Sequence, residues 1–171
     1  MTKQRLYTKK VQYPNFIKGE IEMKKILLAI SSIALISTLA VASDGLVTLK
    51  STHSVKATAD KLIGMLKKKG MTVFIRIDHA AGAKKVGKTL RPTQLVIFGN
   101  PKAGTPVMQC SQNAAIDFPQ KALIAEDAKG NVTLSYNDPK YIAKRHNIQG
   151  CDKVLTKISG ILSNFAKGAT K

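Results

Sequence analysis

The feature that most constrains this chain of 171 residues is an apolar run near its beginning. Residues 23–25 read Met-Lys-Lys, residues 26–39 are apolar or small, and residues 40–42 read Ala-Val-Ala. A positive start, a short apolar stretch and an A-x-A site are the parts of a secretory signal peptide, and the run is shorter than the roughly 20 residues of a spanning helix. The pattern predicts a signal peptide over residues 23–42, cleavage after Ala42 and a periplasmic or secreted product with no membrane span; an uncleaved anchor is the alternative.

The 22 residues before Met23 do not fit this pattern, because they show no hydrophobic periodicity. Lys18-Gly19-Glu20 can be encoded by a purine-rich ribosome-binding sequence a few codons before Met23. We therefore interpret residues 1–22 as a mis-annotated upstream extension, with translation starting at Met23. A genuine long positive region in front of the signal peptide is the alternative.

The remaining residues, 43–171, are enough for a single domain and are strongly basic. They carry 21 lysines and arginines against 8 aspartates and glutamates. Such a charge favours a small anionic ligand or an acidic surface as partner, while a solvated lysine surface is the alternative. The lysines are scattered and not interleaved with aromatic residues, and no nucleic-acid-binding signature is present, so we expect no specific nucleic acid partner.

Hydrophobic patterning predicts five strands and several helices in this domain. An amphipathic helix begins after a Ser54 cap and runs over residues 55–69, and the last helix follows a helical period from Cys151 to Phe165. Asp138-Pro139 and Thr105-Pro106 each predict a capped helix start, and the tail after Lys167 is expected to fray. Strands are predicted over residues 46–50, 72–77, 95–98, 122–125 and 132–136, the last two as a hairpin.

This order of elements predicts an α+β fold, a mostly antiparallel sheet with helices packed on one face, in a single domain. A small sheet of this kind leaves an edge or a face to cover, which favours a homodimer without establishing one. Cys110 and Cys151 are the only cysteines and lie in the exported part, so we expect a disulfide, with two free thiols as the alternative.

Several phrases of the chain resemble the domain of unknown function 302 family. The matching stretches are residues 77–83 (Ile-Asp-His-Ala-Ala-Gly-Ala), residues 90–106 around Leu-Val-Ile-Phe-Gly-Asn-Pro-Lys-Ala-Gly-Thr-Pro, residues 134–139 (Leu-Ser-Tyr-Asn-Asp-Pro) and Arg145-His146. The resemblance implies a TATA-box-binding-protein-like β-α-β₄-α architecture, which agrees with the order above. It implies no DNA binding, because a shared fold does not carry function, and the family's activity is unassigned.

Polar residues cluster at the predicted strand ends, where sites are commonly placed by a rigid scaffold. Acid or base catalysis has His79, His146 and Asp78 as candidates, although Asp78 serves equally well as a helix cap. The two histidines could also bind a metal with Asp78, but their spacing is not that of a ligand motif, so we predict no metal site and leave the cofactor unknown. The residues expected to bind a ligand are His79, Arg91, Thr93, Asn100, Lys102, Thr105, Tyr136 and Asn137.

Three functions remain open on the sequence. The first is a binding or accessory module that holds a small anion in one pocket; this pocket would be formed by His79, Arg91, Asn100, Lys102 and Tyr136. The second is a hydrolase or isomerase that uses His79 or His146 as general base. The third is an electrostatic binder of an acidic surface or polyanion. The Gly99–Gly104 spacing is not a P-loop, because Thr105 stands where the motif requires lysine.

Overall fold

Short strands of apolar and β-branched residues alternate with helices over residues 45–171, the part that the computed structural model describes. The predicted signal peptide and the upstream extension lie outside these residues. The strands are β1 (Leu46–Ser51), β2 (Thr72–Asp78), β3 (Thr93–Gly99), β4 (Gln120–Glu126) and β5 (Val132–Asn137). The helices are α1 (Val55–Lys68), α2 (His79–Lys85), α3 (Pro101–Cys110), α4 (Pro139–Arg145) and α5 (Asp152–Thr170), with a 3₁₀ helix at Gln112–Asp117.

The strands form one antiparallel sheet in the order β1-β5-β4-β3-β2. β1 and β2 therefore occupy opposite edges, and α1, which joins them, crosses one face of the sheet. The predicted α+β class, the antiparallel sheet and the hairpin of β4 and β5 are confirmed.

Helix α1 shows why this crossing is stable. Ser54 caps the helix, its side chain accepting a hydrogen bond from the Ala57 amide, as predicted. Val55, Ala59, Leu62 and Leu66 recur at helical spacing and are buried, so one face of the helix lies on the sheet. The helix ends at Lys68, and Gly70 follows the Lys69 cap with a φ of 68°, the left-handed conformation that glycine adopts without strain.

Helix α5 lies beside α1 and completes the core. Leu155, Ile158, Leu162 and Phe165 are buried along one face, and the Phe165 ring meets the Phe98 ring edge-on at 6.5 Å. The expected fraying after Lys167 is wrong, because the helix continues to Thr170. Ala169 and Thr170 in its last turn are buried, and the Thr170 carbonyl accepts a hydrogen bond at 3.0 Å from the amide of Thr52, which lies between β1 and α1.

The predicted start of a helix at Thr105-Pro106 is also wrong, because α3 begins one turn earlier at Pro101. The Asn100 side chain accepts a hydrogen bond from the Lys102 amide, and its carbonyl accepts from the Ala103 and Gly104 amides. Asn100-Pro101 is thus the cap and first residue, and Pro106 lies inside the helix. Pro101 and Pro106 both signal a helix start and are five residues apart. The first signal prevails because asparagine, which precedes Pro101, caps helices better than threonine, which precedes Pro106.

The face of the sheet opposite α1 and α5 carries apolar residues. The strand register sets Ile77, Leu95 and Leu123 in one row on that face, and Leu123 is 36% exposed. Ile75, further along β2, is 50% exposed. The homodimer expected from the sequence stays a prediction.

Candidate functional site

The residues that the sequence singled out lie at two opposite ends of the sheet. Asp78 pairs with Gln94 at one end of β2 and β3, and Thr72 pairs with Gly99 at the other. Seven residues of β3 separate these ends by roughly 20 Å, at about 3.3 Å per residue. His79 and Arg91 therefore lie near one end, whereas Asn100 and Lys102 lie near the other. The single pocket expected from the sequence is not formed.

At the first end, most polar groups are engaged with the protein itself. Asp78 caps α2 by accepting a hydrogen bond from the Ala81 amide at 2.9 Å, and it accepts another from Gln94 at 3.0 Å. These two bonds, the Ala81 amide first, lower the pKa of Asp78. The capping role that the sequence allowed for Asp78 is confirmed. His79 follows as the exposed first residue of α2.

Arg91 and Thr93 lie at the same end of the sheet as Asp78. The Arg91 side chain donates to the Glu126 carbonyl at 3.1 Å, and the Thr93 hydroxyl donates to the Arg91 carbonyl at 2.9 Å. Thr93 and Asp78 line a shallow cleft of about 610 Å³ together with Lys56, Lys84, Lys88 and Glu126. This cleft mixes both signs of charge, so it has no clear preference for an anion.

Tyr136 and Asn137 lie on β5, away from the first end. Tyr136 pairs with Val47 and Ala122 and is only 5% exposed, so it belongs to the core. Burial raises its pKa, and the nearby Asp138 carboxylate adds to this. Asn137 ends the strand opposite Leu46 and leads into the Asp138 cap of α4.

The second end holds the candidate site, a groove of about 630 Å³ between the last turn of α1, the first turn of α3 and one side of α5. Its floor is apolar, and Ile158 and Phe165, each 6% exposed, form its base. Four lysines stand around it, and within the described chain no aspartate or glutamate lines it. The apolar residues are Met65, Met71, Ala103, Val154, Ile158, Ile161 and Phe165, and the polar ones are Lys68, Lys69, Asn100, Lys102, Lys157 and Asn164.

Of the residues predicted to bind a ligand, the groove contains Asn100 and Lys102. Thr105, on α3, is exposed and lines a neighbouring hollow together with Phe74 and Pro119. Lys68, Lys69 and Lys157 were missed as site residues. The sequence shows the first two only as lysines of a helix end and the third as one of many surface lysines, so no local signal links them.

His146, the other catalytic candidate, is held in a partly buried cluster with Asp117 and Arg145. Its Nε2 lies 2.6 Å from the Asp117 carboxylate, and Arg145 donates to both oxygens of that carboxylate at 3.0 and 3.2 Å. Asp117 is 7% exposed. The cluster joins the end of α4 to the 3₁₀ helix. Sequence reasoning missed Asp117. A lone aspartate in an apolar stretch looks the same in the sequence whether it is buried or exposed.

The disulfide between Cys110 and Cys151 is confirmed, and it joins the end of α3 to the start of α5 with Cα atoms 6.5 Å apart. Within residues 45–171, no three His, Cys, Asp or Glu side chains gather in a way that could hold a metal ion. Over the same residues, no helix has the length and apolar character needed to span a membrane.

The antiparallel five-stranded sheet with α1 and α5 on one face places this protein in the class of single-domain α+β proteins. The chain belongs to the family described as Domain of unknown function DUF302, whose model matches residues 47–165. The solved structure of an uncharacterized conserved DUF302 protein from Bacillus stearothermophilus has a TM-score of 0.67, covering 75% of this chain and 99% of that one. The two sequences are 15% identical, so this likeness concerns the fold.

Two relatives from Brucella are similar in sequence. A protein of Brucella suis biovar 1 named Fluoride-specific ion channel FluC 1 is 43% identical over 128 residues, which are 72% of this chain and 50% of that protein. The protein of the same name from Brucella abortus biovar 1 is also 43% identical, with 47% of its length covered. The chain thus spans about half the length of these relatives.

Proposed function

We propose that this DUF302 domain is an exported binding module that holds an organic anion in the groove between α1, α3 and α5. The ligand has an apolar body and one carboxylate or phosphate group. The observation that carries the proposal is the combination of an apolar floor with a rim of four lysines. The domain would work in the periplasm or outside the cell, as the expected signal peptide requires.

The floor of the groove favours an apolar body. Met65, Val154 and Ile161 are only partly buried although they pack against the core, so part of their apolar surface stays in water. Covering such surface stabilises a complex by about 25 cal/mol per Å². The volume of about 630 Å³ lies within the range of ordinary small-molecule sites. Methionines also adapt to ligands of different shape.

The rim favours a negative charge. Lys102 and Lys157 are exposed and line the groove from two different helices, α3 and α5. Among the described residues no carboxylate lines the groove, so an anionic head group meets only positive side-chain charges there. A lysine can lay its stem along apolar surface while its ammonium group reaches the anion, which suits an amphipathic ligand.

The Brucella relatives support an accessory role. Their names refer to a fluoride-specific ion channel, and the part shared with this chain is about half of their length. We propose that this domain likewise assists a larger system that handles anions. Fluoride itself is a poor occupant of the groove, because an apolar floor offers a small ion no hydrogen bonds in exchange for its water.

Calorimetric titration of the full chain with decanoate, decyl phosphate, inorganic phosphate and sodium fluoride tests the proposal. We expect the two alkyl anions to bind and the two inorganic ions to bind far more weakly. Replacing Lys102 and Lys157 together by glutamine should weaken decanoate binding about tenfold, because each lysine contributes a partly screened attraction.

The matched control replaces Lys129 and Lys140 by glutamine. Both lysines are exposed and lie outside the groove, so the control removes the same net charge. Its affinity for decanoate should stay within about twofold of the original protein, since distant exposed charges are screened by salt. Equal losses in the two double variants would contradict a groove site. They would favour the third function, a general electrostatic binder of acidic surfaces.

Acid or base catalysis by His146 is less well supported. Its Nε2 already binds the Asp117 carboxylate, Arg145 binds both oxygens of that carboxylate, and the His146 side chain is only 9% exposed, which keeps a substrate away from it. A general base must reach the proton that it removes. His146 is therefore better explained as part of the contact that holds α4 to the 3₁₀ helix.

A further inference from the structure

A smaller cavity of about 50 Å³ adjoins the groove on the side of the sheet. The two are neighbours, because they share five lining residues: Met71, Asn100, Ala103, Ile158 and Ile161. Its volume exceeds what one water molecule needs. Among the described residues, Gln120 is the one polar side chain that lines the cavity but not the groove.

Gln120 is the first residue of β4 and is only 7% exposed. Its Nε2 atom is buried and has no hydrogen-bond partner within the described part of the chain. Buried side-chain donors without a partner are rare in native proteins, and each one calls for an explanation. The two hydrogens of this amide have no acceptor in the described part of the chain, and Gln120 is a lining residue of the cavity.

We infer that the ligand of the groove carries an oxygen acceptor at the end opposite its anionic group, and that this oxygen binds Gln120. The inference rests on the proposed function and narrows its ligand class to oxygenated amphipathic anions, such as ω-hydroxy or ω-oxo acids. The acidic group lies among the lysines of the rim. The apolar body covers the floor, and the far oxygen accepts a hydrogen bond from the Gln120 amide.

Calorimetric titration of the full chain with paired acids from hexanoate to dodecanoate, each with and without an ω-hydroxyl group, tests the inference. At the chain length that spans the groove, the hydroxy acid should bind about three- to tenfold more tightly than its parent, the effect of one net hydrogen bond. Gln120→Met keeps the shape of the side chain but removes the amide. This variant should bind both acids of a pair equally.

Gln112→Met is the matched control. Gln112 is exposed on the 3₁₀ helix, so this variant should still bind the hydroxy acid more tightly than its parent acid.

Thermal melting adds a readout that does not depend on ligand. Gln120→Met should be as stable as the original protein or more so, since it buries no unpaired donor. A clear loss of stability with no hydroxyl preference at any length would mean that water occupies the cavity, and would overturn the inference. Binding of the plain acids would leave the groove proposal standing in that case, whereas failure of every alkyl anion would overturn both.

Discussion

The carboxylate of Asp117 is the polar group that ties the 3₁₀ helix to the end of α4. It is 7% exposed, and it accepts hydrogen bonds from Arg145 while lying 2.6 Å from Nε2 of His146. A buried carboxylate is tolerated when such partners replace its water. Removing the charge leaves the partners without their acceptor, so the effect on stability should be large for a conservative change.

Asp117→Asn should lower the free energy of unfolding by about 1–3 kcal/mol, less than the roughly 3–5 kcal/mol of a fully buried broken pair, because Arg145 is half exposed. Urea unfolding followed by circular dichroism measures the change. Asp152→Asn, at the exposed start of α5, should cost no more than about 1 kcal/mol. Similar losses in both variants would contradict a special role for Asp117.

Acid sensitivity is a second prediction at the scale of residues. Hydrogen bonds lower the pKa of Asp60, Asp78 and Asp127 below the ordinary value of 3.8, chiefly those from Lys56, the Ala81 amide and Asn131 respectively. The folded protein therefore binds fewer protons than the unfolded chain, and stability is lost as the pH falls through and below this value. Asp78→Asn can still cap α2 but cannot titrate.

The melting temperature of Asp78→Asn should therefore fall less between pH 5 and pH 2 than that of the original protein, in the window set by those lowered pKa values. Scanning calorimetry in a series of buffers measures the two curves. Parallel curves would show that the Asp78 carboxylate contributes nothing to acid unfolding.

Among the elements, α3 is the one whose start decides the shape of the site. Because it begins at Pro101, its first turn places Lys102 and Ala103 on the groove. A start at Thr105 would have left these residues in a loop. The Asn100 cap is therefore part of the construction of the groove.

Asn100→Ala should cost about 1 kcal/mol of stability, because it removes the side-chain acceptor of the Lys102 amide. Thr105→Ala should cost little or stabilise slightly, since an exposed threonine inside a helix is a weaker helix former than alanine. Thermal melts of the two variants decide whether α3 starts at Pro101 or at Thr105. A larger loss for Thr105→Ala would restore the start that the sequence predicted.

The disulfide acts at the same scale, since it fixes α3 to α5 across a sequence separation of 41 residues. Replacing Cys110 and Cys151 together by serine should lower the free energy of unfolding by about 4 kcal/mol in the chain-entropy account. Reduction of the original protein should give a similar loss. The double variant should not respond to the same reductant, and a response there would show that the effect lies elsewhere.

For the molecule as a whole, the described elements and the family match both fall within residues 45–171. All strands and the long helices contribute to one core, from Val55 on α1 to Ala169 on α5. A protein that starts at Ser43, the product expected from cleavage after Ala42, should therefore unfold in one cooperative transition. Its melting temperature should match that of the full chain. Loss of the transition would show that the first 42 residues belong to the folded unit.

Local signals accounted for most of the fold. The Ser54 cap, the amphipathic face of α1 and the β4–β5 hairpin depend on residues a few positions apart and were predicted, and the Asp78 cap was one of the two roles left open for that residue. The start of α3 and the end of α5 were not. Two capping signals compete at the first, and the second depends on burial of Ala169 and Thr170, which no local pattern reports.

By itself, the sequence determined the family, the order of elements, the α+β class and the cysteines available for a bridge, because propensity, capping and periodicity act over short distances along the chain. Only the tertiary structure decided which side chains meet. It separated His79 from Asn100 by the length of β3, and it brought Lys68 of α1, Lys102 of α3 and Lys157 of α5 around one groove. The physical reason is that a site forms where segments distant in sequence pack together. Such packing produces no periodic pattern in the sequence of any one segment.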